Sequence, residues 1–76
     1  MKIKLKGKAL YTHSRTGSVH QFALQSQVSA MTAYKYVNGE VKSVDLETLA
    51  KLLTGAGYTA ADAANLRLGD LLEISD

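Results

Sequence analysis

Cysteine, proline and tryptophan are absent from the 76 residues, and phenylalanine occurs once. Without cysteine there is no disulfide framework and no thiolate metal cluster. His13, His20 and carboxylates are the only metal ligands left, and the two histidines have none of the usual ligand spacings, so no metal site is expected. Without proline, helix ends must be marked by glycine and by polar caps. No apolar run approaches the roughly 18 residues that cross a bilayer. The basic N-terminus lacks the long apolar stretch of a secretion signal. These absences lead us to expect a soluble, intracellular, cytoplasmic chain with no membrane partner. No nucleophile–base pair or phosphate loop is present either, so neither an enzyme nor a bound cofactor is expected.

What remains is ordinary globular composition, 46% hydrophobic and 21% charged, in a length that makes one domain, 1–76. The net charge of +2 conceals a lopsided distribution. Residues 1–42 hold seven cations against Glu40 alone, a balance of +6. Residues 43–76 hold Lys51 and Arg67 against six acids, a balance of −4. Such polarity suits one face made for a polyanion.

Lys2-Ile3-Lys4-Leu5-Lys6 alternates polar and apolar, the period of a half-buried strand. Its lysines also guard a strand edge against pairing with other chains. A short first helix is expected from Gly7 or Lys8 to about Arg15, with Gly17 taking a positive φ at its end. Ser18-Val19-His20-Gln21 reads as a capping box, the Ser18 hydroxyl accepting from the Gln21 amide and the Gln21 side chain reaching back to the Ser18 amide. It opens a helix from Val19 to about Ser26 with Val19, Phe22, Ala23 and Ser26 on one face. Gln27-Val28 turns the chain, and Ser29 caps a third helix, 30–37, with Ala33, Tyr36 and Val37 as its apolar seam. Asn38-Gly39 stops it. Asp45 begins a fourth helix whose apolar positions are read as Leu46, Leu49, Ala50 and Leu53, with Glu47 and Lys51 paired on the outside. Gly55 and Gly57 end it. Thr59-Ala60-Ala61-Asp62 looks like another helix start, and the last residues are expected as a strand beside Ile3 and Leu5.

Two short helices joined by a tight turn, each with its own serine cap, form a unit that needs covering helices on its apolar side. Phe22-Ala23, Val28-Ser29, Thr32, Tyr36-Val37, Asn38-Gly39 and Val44-Asp45-Leu46-Glu47-Thr48-Leu49 resemble the Cro/cI-type (XRE family) helix-turn-helix domain. The likeness is to its small single-domain bacterial members and covers about 5–57 and 70–73. It implies an all-α, five-helix, lambda-repressor-like domain, with a short N-/C-terminal ribbon added here. It further implies a homodimer on double-stranded operator DNA at the nucleoid, acting as a repressor or activator, or as an antitoxin joined to a protein partner.

Carried onto this sequence, the resemblance directs Ala30, Met31, Tyr34 and Lys35 at bases and places Ser18, Gln21, Ser29, Thr32 and Asn38 near phosphates. Lys35 can donate to guanine and Tyr34 through its hydroxyl, whereas Ala30 and Met31 can touch only thymine methyls. Three positions depart from the family. Gln27 stands where glycine is favoured, which implies strain or a different turn. Glu40 replaces a common basic residue, and the reading helix starts apolar. A protein-interaction module that keeps the same fold is the alternative. The surplus of terminal apolar residues (Ile3, Leu5, Leu71, Leu72, Ile74) suggests a dimer with the termini at its interface.

Overall fold

The two ends of the chain lie side by side. Strand β1 (Lys2–Leu5) pairs antiparallel with β2 (Leu72–Ser75), setting Ile3 opposite Ile74 and Leu5 opposite Leu72. The computed structural model describes residues 1–76 in full. Between the strands run α1 (Gly7–Ser14), α2 (Val19–Ser26), α3 (Ala30–Val37), α4 (Leu46–Gly55), α5 (Ala60–Ala64) and the single turn α6 (Leu68–Leu71). The chain is therefore mainly helical with a two-stranded ribbon. It has six helices rather than five, because the segment before the last strand folds into a turn of its own.

Leu5, Leu10, Phe22, Tyr36, Leu52 and Ala56 form the centre of the core, drawn from β1 and all four longer helices or their caps. α2 packs on α3 and α4, while α1 lies on α3. Two glycines permit these approaches. A methyl group at Gly7 would overlap the Tyr36 carbonyl, and one at Gly55 would overlap the Ser26 hydroxyl and come 2.7 Å from the Ser26 Cα. No side chain larger than hydrogen fits at either crossing.

Several local expectations are corrected. α1 ends with Arg15 in the left-handed region at φ 57, not at Gly17. The amide of Gly17 instead donates to Gln21 Oε1 (2.9 Å), so the Gln21 side chain reaches one residue further back than a capping box requires. On α4 the buried face is Leu49, Leu52, Leu53 and Ala56; Leu52 is fully buried, Ala50 is exposed, and Leu46 is 79% exposed. The leucines permit either register, and the close approach at Gly55 selects the one that turns Leu52 inward. At the termini, Leu5 is buried and Leu71 and Leu72 pack against the chain's own core. Met1, Ile3, Leu68 and Ile74 stand outside it, so the apolar surplus is smaller than the sequence suggests.

Other features follow the sequence closely. Asp45 caps α4 by accepting from the Thr48 amide (2.9 Å), and Glu47 meets Lys51 at 3.9 Å. Thr59 and Asp62 form a complete capping box at α5. No helix is long and apolar enough to cross a membrane.

Candidate nucleic-acid interface

α2 and α3 are joined by only three residues, Gln27, Val28 and Ser29. Gln27 makes the turn by adopting φ 59, ψ 40, the left-handed conformation that glycine takes without cost. The Val28 amide then donates to the Ala23 carbonyl (3.1 Å), closing the end of α2. Of the two expectations at Gln27, strain or a different turn, the structure shows a side chain held in the left-handed region.

α3 has two unlike sides. Ala33 and Tyr36 are buried and Val37 half-buried, as its seam requires. Met31, Tyr34, Lys35 and Asn38 stand at i, i+3, i+4 and i+7, and all four are exposed, Met31 by 69% and Tyr34 by 49%. Of the residues expected to face bases, Met31, Tyr34 and Lys35 therefore share one stripe, joined by Asn38. Ala30 is half-buried at its flank, as is Thr32. Tyr36 belongs to the scaffold, and its hydroxyl accepts from the Asp45 amide (3.4 Å), tying the seam of α3 to the start of α4.

The residues expected at phosphates lie at helix ends, and their hydrogen bonds show what each has left to offer. Ser18 Oγ accepts from the Gln21 amide (3.2 Å) and Ser29 Oγ from the Thr32 amide (3.1 Å). Ser29 also donates to Thr32 Oγ1 (2.8 Å), which leaves the Thr32 hydroxyl hydrogen free to donate outward. Gln21 uses its carbonyl oxygen on Gly17 and keeps its NH2 group free. Exposed Asn38 lies at the C-terminal cap of α3. Uncommitted donors beside two helix N-termini suit an anion, since the positive end of each helix dipole adds to them.

Electrostatics around the motif are open. Glu47–Lys51 is the sole ion pair in the structure, so Lys35 has no carboxylate within 4.0 Å. The Thr48 amide, the Thr48 hydroxyl and, more weakly, Lys51 hold the Asp45 carboxyl below its ordinary value. No group of three or more His, Asp or Glu side chains is placed to hold a metal ion.

One basic feature escaped the sequence reading. Lys4, Lys6, Lys8 and His13 line a cleft of about 660 Å³ together with Asn38 and Gly39 from the end of α3. Lys4 and Lys6 were legible as part of a strand pattern and Lys8 as a helix start, but nothing in the sequence says that α1 crosses the end of α3. His13 is anchored here, donating Nδ1–H to the Ala56 carbonyl (2.7 Å) and stacking on Tyr58 at 4.1 Å. No family model, curated protein or solved structure matches the chain.

Proposed function

We propose that this chain is a sequence-specific DNA-binding transcription regulator, a repressor of the Cro/cI helix-turn-helix kind, working as a homodimer on double-stranded DNA. The observation that carries the reading is the exposed stripe Met31, Tyr34, Lys35 and Asn38 on a helix backed by Ala33, Tyr36 and Val37. Eight helical residues span about 12 Å, close to the width of the major groove. With α3 in the groove, Lys35 and Tyr34 meet base edges and the Met31 side chain meets thymine methyls. Ser18, Gln21, Thr32 and Asn38 then donate to the flanking phosphates, which fix register without reading sequence. Two copies read half-sites about 34 Å apart. The exposed tip of the ribbon (Met1, Ile3, Ile74) is too small to hold a dimer alone, and in this reading the two copies come together on DNA.

The test is selection of bound fragments from a genomic library at two salt concentrations. Enrichment of one motif with two half-sites, bound less tightly as salt rises, is the expected result; recovery of random fragments or none contradicts it. A second reading, a protein-interaction module such as an antitoxin half, is favoured by the exposure of Leu24 (67%) and Met31. Co-purification with a stoichiometric protein partner in the absence of DNA enrichment selects it.

A further inference from the structure

We propose that the cleft between β1, α1 and the end of α3 is a second DNA contact, seating the phosphodiester backbone at the edge of the groove that α3 enters. The proposal rests on the DNA-binding reading and extends it to residues outside the helix-turn-helix. Lys4, Lys6 and Lys8 line the cleft against a single carboxylate, that of Glu73. Glu73 sits directly across the ribbon from Lys4, yet no ion pair forms between them. The positive charge is therefore not neutralised internally. At the same place α1 begins with Lys6 as its cap residue, without a side-chain cap and without an acidic residue in its first turn. The Ala9 amide already donates to the Lys6 carbonyl (3.1 Å), which leaves the Gly7 and Lys8 amides and the dipole's positive end to favour an anion.

Position joins the cleft to the reading helix. Gly7 touches the backbone of Tyr36 and Val37, and Asn38 and Gly39 line the cleft wall. The cleft thus lies at the C-terminal end of α3, about one groove width from the residues that open that helix. A duplex seated on α3 brings its sugar-phosphate strand past this end. The three lysines serve unequal roles. Lys6 donates Nζ to the Gly69 carbonyl (2.7 Å), bracing the start of α1 against α6. The side chains of Lys4 and Lys8 make no hydrogen bond or ion pair within the chain and are the phosphate ligands.

The experiment measures binding to a fluorescein-labelled duplex of arbitrary sequence over a salt series. Wild type, Lys4→Gln/Lys8→Gln and Lys4→Arg/Lys8→Arg are compared, with Lys6 left intact to preserve its brace. Thermal melts within a few degrees of wild type establish that both variants fold. The slope of log affinity against log salt is expected to shrink by about 0.9 per lost contact, near 1.8 for the glutamine pair, and to recover in the arginine pair. If wild type binds and the glutamine pair keeps the full slope, or arginine fails to restore it, the cleft is not a phosphate site although DNA binding stands. If wild type binds no duplex even at low salt, the DNA reading and the cleft fall together.

Discussion

Gln27 is held at φ 59 in the turn between α2 and α3, where an L side chain is strained and glycine is not. Gln27→Gly is expected to raise stability by up to about 1 kcal/mol, the relief of strain being partly offset by the entropy of an unfolded glycine. A gain of that size moves the melting temperature by about 4–8 °C in a domain of this length. No rise in a thermal melt would mean that the turn relaxes in solution. Gly55 makes the opposite case. Gly55→Ala puts a methyl group into the Ser26 hydroxyl and within 2.7 Å of the Ser26 Cα, and is expected to destabilise by about 2 kcal/mol or more. Ser26→Ala, by contrast, removes a buried hydroxyl that lacks a hydrogen-bond partner, and is expected to leave stability unchanged or slightly higher. The sequence marked Gln27 only through the family resemblance, which favours glycine there and left strain or a different turn open; the structure supplies the left-handed conformation. The contact of Gly55 with Ser26 was not legible, because it depends on how two helices cross.

Helix starts were the most legible elements. Ser18, Ser29, Asp45 and Thr59 each cap the helix that follows, and a cap is a local interaction between residues three apart. Helix faces were less so. On α4, leucines at 46, 49, 52 and 53 satisfy more than one amphipathic register, and only packing turns Leu46 out and Leu52 in. On α3 the bulk of Tyr36 and the small Ala33 define one seam, and the structure buries both. The capping of α4 also carries a pH dependence. Asp45 titrates below its unfolded value of about 3.9. Its contribution is complete above that value and is lost as pH falls through the lower folded one. Asp45→Asn can still cap but has no charge to lose. The stability advantage of wild type over this variant should therefore be constant near neutrality and shrink below about pH 4. An advantage that persists unchanged in strong acid would exclude the charge as its source.

At the scale of the molecule, the charge split across residue 42 pointed to a polyanion face, and the fold gives part of that charge a location. β1 and α1 bring Lys4, Lys6 and Lys8 to the end of α3, which residue spacing alone does not reveal. The same fold spends most of the terminal apolar residues on its own core. Sedimentation is accordingly expected to find a monomer at micromolar concentration and two copies on a site with paired half-sites. A stable dimer without DNA would require an interface larger than the ribbon tip. The central claim is that the exposed stripe of α3 reads base pairs. Its most direct test is the affinity of wild type and Lys35→Ala for the selected duplex and for each of its single base-pair variants. Lys35→Ala should melt within about 0.5 kcal/mol of wild type. It should lose about 1–3 kcal/mol of specific binding, with discrimination relaxed at one base pair. Affinity and base preference identical to wild type, or loss of folding, would contradict the account.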